Sequence, residues 1–253
     1  MHKITSILIY TVDLGYFASK IQLKDSIMAA SRAFKKLSLP EMISDDLRDR
    51  ILSGDIAEGE AIRQELLAEE YEVSRMPVRE ALKRLSAEGL ISWENNIGGS
   101  VVKHSLREIG EIFDLRALIE ADLFRRAIPN MTSVDFERCE KILADMEGSY
   151  ASDDVGQWGQ LNHDYHAALY AAADRRLTDD LLARISIHSD RYVRIHLSVM
   201  KQRDPARKEH RKLLAYAIEG DVVSAGELLE KHISRTKNEL LEMVAAQRSQ
   251  NGA

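Results

Sequence analysis

The sequence predicts a mainly α-helical protein of two domains: a small N-terminal one that ends in a β-hairpin, and a larger antiparallel bundle of helices alone. Three observations predict it. The 253 residues include only 4 Pro and 13 Gly, too few turn-formers for a β-rich architecture and too long a chain for one small domain. Apolar residues recur at helical spacing almost continuously after Leu39-Pro40. Strand–turn–strand patterning occurs in one stretch, "LISWENNIGGSVVKH".

Residues 1–37 show no sustained period and read as a loose N-terminal extension, with Met28 a second candidate start. "MISDDLRDRILSG" predicts the first helix, with Ser44 as N-cap and Gly54 closing it. "DIAEGEAI" reads as a connection and "RQELLAEEYEV" as a short second helix. In "SRMPVREALKRLSAEGL", Val78, Ala81, Leu82 and Leu85 form one inward stripe. Beside it, facing outward, Arg75, Arg79 and Lys83 follow an i, i+4 row. Ser74 stands at the N-cap, Pro77 falls in the first turn where a missing N–H costs little, and Gly89 ends the helix. The hairpin follows around "ENNIGG". Three helices and a hairpin outline a winged helix-turn-helix over residues 38–104.

Residues 105–248 predict six amphipathic helices with short links, an antiparallel all-α bundle. Ser105 caps the first, which stops at Pro129; Thr132 opens the second. "DVGQWGQLNHDYHAALYAAA" and "LTDDLLARISIHSDRYVRIHLSVM" carry the third and fourth. "PARKEHRKLLAYAIEG" ends at Gly220, and the sixth runs from Asp221 to about Gln247.

Net charge is −6, which taken whole argues against nucleic acid. Its distribution matters more. Residues 40–103 hold 8 Lys and Arg against 14 Asp and Glu, yet the third helix carries Arg75, Arg79, Lys83 and Arg84 against Glu80 and Glu88. Phosphate attraction acts through such a local ridge. The single cysteine, Cys139, forms no internal disulfide, which fits a reducing compartment. The apolar run "ILIY" near the N-terminus is too short to span a membrane, so the expected location is cytoplasmic, with no membrane partner.

The stretch "LAEEYEVSRMPVREALKRLSAEGLI", with the wing "NNIGGSVV", resembles the DNA-binding domain of the GntR family of bacterial transcription regulators. The resemblance implies that Arg75 and Arg79 contact operator DNA, flanked by Ser74 and Met76, with Gly98 or Gly99 as the wing glycine. Met76 departs from the small hydroxyl residue usual in the family. Some relatives use a basic contact at the start of the second helix; here that position holds Glu65, and Arg63 just before it is the candidate.

Of 8 histidines, His166, His210 and His232 each sit on the inner stripe of a different bundle helix. Imidazoles converging from facing helices can hold one ion. "LNHDYHAALYAAADRRL", "EHRKLLAYAIEGDVVSA" and "EKHI" resemble the FCD-type effector domain of the FadR branch, and six helices point to its shorter, VanR-like group. That resemblance implies Asn162, His166, His210 and His232 as ligands of a divalent ion, with Zn, Ni and Mn all admissible. Asn162 replaces a carboxylate by a neutral carbonyl oxygen. It also implies that Arg116, with Glu120 one turn on, reaches the effector pocket, while His163 is expected at the surface.

These readings point to a homodimeric regulator that binds double-stranded operator DNA, a repressor by expectation and not an enzyme. Its bundle takes a small organic acid at a metal-containing pocket. The alternative is a metal-dependent hydrolase, since three histidines can activate water.

Overall fold

In the computed structural model, which describes residues 38–94, 98–151, 155–199 and 204–251, the first helix begins five residues before its expected cap. α1 spans Leu39–Ser53, and Ser44 is a buried interior residue whose hydroxyl donates to the Glu41 carbonyl at 2.9 Å. The start is set by Leu39-Pro40, because proline is accepted in a first turn whose N–H groups have no partner. Gly54 closes the helix at φ +94°, as its position predicted.

A two-residue strand β1, Ala61–Ile62, precedes α2 (Gln64–Glu70) and α3 (Arg75–Ala87). Ser74 is the N-cap residue of α3, but its side chain makes no capping hydrogen bond. At the other end Gly89 takes φ +79°. Leu90 N–H reaches the Leu85 carbonyl and Gly89 N–H the Ser86 carbonyl, the paired bonds of a Schellman cap.

β2 (Ile91–Glu94) and β3 (Gly98–Val101) pair antiparallel, with Trp93 opposite Gly99. β1 joins β3 on its other edge, giving the order β1-β3-β2. β1 was read as connection because two residues carry no alternation. The wing turn itself, residues 95–97, and the extension 1–37 lie outside the described residues. A Cβ on Gly99 would sit 2.6 Å from the Ser92 carbonyl oxygen and 2.8 Å from the Trp93 ring. Gly99→Ala should therefore destabilise this sheet by roughly 1–3 kcal/mol, read by chemical denaturation. Unchanged stability would show that the wing opens to admit the methyl group.

Six helices follow: α4 (Leu106–Ala127), α5 (Ser133–Ala151), α6 (Val155–Tyr170), α7 (Arg176–Val199), α8 (Asp204–Glu219) and α9 (Val222–Asn251). Ser105 and Glu108 form a reciprocal capping box at the start of α4. α4 packs most extensively against α9, and also against α7. Among the described residues no helix is long and apolar enough to cross a membrane.

Residues 40–253 cluster as one unit containing two apolar cores. The smaller gathers Ile43, Leu47 and Ile51 of α1 with Val78, Leu82 and Leu85 of α3. The larger gathers Phe113, Phe124, Tyr165, Leu169, Leu213 and Leu229 from the bundle. Cys139 is buried there, and burial pushes its thiol up to about 11, so it is an inert packing residue.

Candidate functional site

The first candidate surface is the outer face of α3. Its inward stripe, Val78, Ala81, Leu82 and Leu85, is completely buried, which fixes the rotation of the helix. Arg75, Arg79 and Lys83 consequently stand exposed along one row, with Ser74 and Met76 beside them. The three cations are not equivalent. Arg75 lies 3.3 Å from Glu65, and Lys83 donates to Glu80 at 2.9 Å. Arg79 has no carboxylate partner among the described residues. It is the one cation of the row free to reach a ligand without first breaking an ion pair. Arg63, exposed and extended, occupies the N-cap position of α2, and Gly98 holds φ +105° in the wing.

The second site lies inside the bundle. Buried His166 of α6, His210 of α8 and His232 of α9 can each bring one ring nitrogen within 4.8 Å of the others. Two are oriented from behind by carboxylates. His166 Nδ1 donates to Glu120 at 2.8 Å, and His232 Nδ1 to Glu209 at 2.7 Å. A carboxylate only accepts, so Nδ1 carries the hydrogen in each contact, which leaves Nε2 as the nitrogen that faces the other rings. His166 Nε2 and both nitrogens of His210 are buried without a hydrogen-bond partner. The backbone of His210 is held by the Tyr165 hydroxyl, which donates to its carbonyl at 2.7 Å. Burial, then the neighbouring His232 and His166, push the His210 pKa well below the ordinary imidazole range, so the ring is neutral. Burial also lowers His232, against the opposing pull of Glu209.

Unpartnered buried nitrogens cost free energy unless something accepts their lone pairs. Three converging imidazoles, two of them with the far nitrogen anchored to a carboxylate, are the donor set and outer shell that suit a divalent ion. The residues present therefore fit a metal. Metal–nitrogen bonds are about 2.0–2.1 Å long, and His210, whose ring nitrogens make no hydrogen bond, is the ring least held against adjusting to such an ion.

The cavity beside these rings measures about 40 Å³, room for a few waters. Asn162, one turn before His166, borders it together with Arg116, His196, Arg235 and Thr236. Glu120 does not. It was expected to meet the effector; instead it is wholly buried behind Arg116 and His166, because those two groups satisfy both of its oxygens. Burial alone would raise its carboxyl, but the Arg116 charge and the His166 hydrogen bond prevail and hold it at about 2. Arg116 reaches the pocket as expected, with Nε committed to Glu120 at 2.7 Å and Nη1 to Ser189 at 3.1 Å. Glu120 thus positions a histidine and a guanidinium. His163 is half-buried, 3.7 Å from Asp190, so its expected surface place is only partly right.

Three contributors were missed. Glu209 lies off the apolar stripe of α8 and gave no periodic signal. Arg235 joins Glu209 to Glu239 on α9, a pairing between helices that spacing within one helix does not reveal. His196 was legible, since Tyr192, Val193 and His196 follow helical spacing; it is buried and donates to Glu239 at 3.0 Å.

The helices that border this cavity also hold the N-terminal part that carries α3. Glu58, between α1 and β1, accepts from the Tyr192 hydroxyl of α7 and from Arg248 of α9. Arg191 donates to the Ile51 and Ile56 carbonyls, and His104 meets His188 at 3.3 Å.

Comparison with known proteins matches the two parts of the chain that carry these surfaces. The model of "Bacterial regulatory proteins, gntR family" matches residues 39–101, and that of the FCD domain matches residues 111–235. The gluconate operon transcriptional repressor of Bacillus subtilis (strain 168) is 31% identical over 148 residues, 58% of this chain and 60% of that protein. The HTH-type transcriptional regulator BphR of Paraburkholderia xenovorans (strain LB400) is 31% identical over 208 residues, covering 78% of this chain and 82% of its own length. Among solved structures, Escherichia coli McbR/YncC superimposes with a TM-score of 0.72 at 20% identity, over 82% of this chain and 99% of that one, a likeness of fold.

Proposed function

The chain belongs to the GntR family of bacterial regulatory proteins, with an FCD domain behind its DNA-binding one, and we propose that it is a repressor released or engaged by a small organic acid. The observation that carries the reading is the pairing of an exposed, uncommitted Arg79 on α3 with a buried three-histidine pocket in the bundle. Residues 38–104 would read the operator and residues 105–248 would bind effector and form the homodimer. The protein would work in the cytoplasm. Repression is inferred from the Bacillus relative, a transcriptional repressor.

His166, His210 and His232, with the Asn162 carbonyl oxygen beside them, would hold one divalent ion, Zn, Ni or Mn. Bound there, it would offer a Lewis-acidic centre to an oxygen of the acid. Arg116 contributes positive charge at the cavity wall, and Asn162 and Thr236 offer neutral polar groups. α7 and α9 border the cavity and also grip Glu58 and the Ile51 carbonyl of α1, so a change in their spacing would move α3. The relatives are regulators and lend the hydrolase alternative no support. Asp164, the nearest spare carboxylate on α6, is engaged by Gln160.

A mobility assay with the DNA upstream of the protein's own gene tests the reading. Retardation at nanomolar protein, weakened by salt and altered by a panel of small carboxylic acids, is expected. No retardation over a random duplex would overturn it. Dimerisation should belong to the bundle, because a domain as small as residues 38–104 has little apolar surface to spare. Residues 105–253 alone should sediment as a dimer at micromolar concentration; a monomer would refute this.

A further inference from the structure

A larger cavity, about 330 Å³, opens where the α1–β1 connection meets α7 and α9. That is within the size range of small-molecule sites. Its wall includes Glu58, Lys103, Arg191, Tyr192, Gln247 and Arg248, three cations against one carboxylate in a chain that is acidic as a whole. Among the described residues Glu58 forms its ion pair with Arg248, which donates to it at 3.0 Å, and not with Arg191 or Lys103. Arg191 is half-buried yet has no carboxylate within 4.0 Å among the described residues. Its Nη1 rests on two backbone carbonyls, and burial pulls its pKa down against the weaker opposing pull of Glu58, which forms no ion pair with it. Lys103 is exposed and makes no ion pair among the described residues.

We propose that this cleft is a second ligand site, separate from the histidine pocket, which takes a small anion of more than one charge, carried on phosphate or carboxylate groups. Lys103 and Arg191 supply the uncompensated charge, and Gln247 an exposed amide. The surfaces that would meet the ligand come from the link before β1, from the segment after β3 and from both gripping helices. An occupant would therefore clamp the DNA-reading part onto the bundle and add a metabolic input independent of the metal pocket.

The test uses the full chain, with inorganic phosphate and citrate as probes against chloride at equal ionic strength. At about ten times the dissociation constant either should raise the thermal midpoint by roughly 3–6 °C. The shift should persist in His210→Ala, which disables the other pocket, and vanish in Lys103→Ala, an exposed change that spares the fold. Arg191→Gln should abolish it too. The probe giving the larger shift assigns phosphate or carboxylate chemistry. A shift lost in His210→Ala would place the anion at the histidines, and one that survives Lys103→Ala and Arg191→Gln, or no shift beyond chloride, would equally overturn the proposal.

Discussion

Arg79→Ala should abolish specific operator binding while the helical circular-dichroism signal stays that of the wild type. The side chain is exposed and has no ion-pair partner among the described residues, and the α3 stripe beneath it is wholly buried, so its removal leaves the packing untouched. A bidentate arginine–base contact is worth about 1–3 kcal/mol. Two protomers on a two-fold operator double that to about 2–6 kcal/mol, roughly 30-fold to 10⁴-fold in affinity. Arg75→Ala and Lys83→Ala should each cost less, because Glu65 and Glu80 already compete for those cations. Titration of labelled operator at fixed salt measures all three. Wild-type affinity in Arg79→Ala would remove α3 as the reading helix.

The second large effect concerns the histidine pocket. Protein purified without a histidine tag should carry close to one divalent ion per chain, and His210→Ala should carry none. At a free metal concentration about 1,000 times the dissociation constant, binding to the folded state adds about 4 kcal/mol, a rise in midpoint of roughly 8–16 °C for a chain of this size. His210→Ala forfeits that rise. In metal-stripped protein the same substitution should cost far less, because neither ring nitrogen of His210 has a hydrogen bond to lose. A merely structural histidine would show equal cost with and without metal. Wild-type protein that holds no ion and whose midpoint Zn²⁺ leaves unmoved would refute the site.

What could be read from the chain alone was whatever depends on near neighbours. Helix rotation follows from the spacing of apolar residues, so Val78–Leu85 and Trp158–Leu169 named the inner faces correctly, and His166 and His210 with them. Chain reversals follow from single residues, so Gly54, Gly89 and Gly220 marked helix ends and Ser105 a beginning. The resemblance to GntR regulators rested on the same local runs. Even so, Ser44 misled, because a serine before an apolar run looks the same whether it caps a helix or bonds back inside one.

Tertiary structure alone decided which partners those faces meet. Glu120 and His166 are 46 residues apart, and Glu209 and His232 are 23 apart, so no spacing rule could join each histidine to its carboxylate. The grip of Tyr192 and Arg248 on Glu58 spans 134 and 190 residues. It also decided which cation of the α3 row is free, since that depends on where Glu65 of another helix comes to rest. Local sequence sets the faces because sterics and periodicity act within a turn or two; burial and charge pairing act through space, and only the folded chain assigns them.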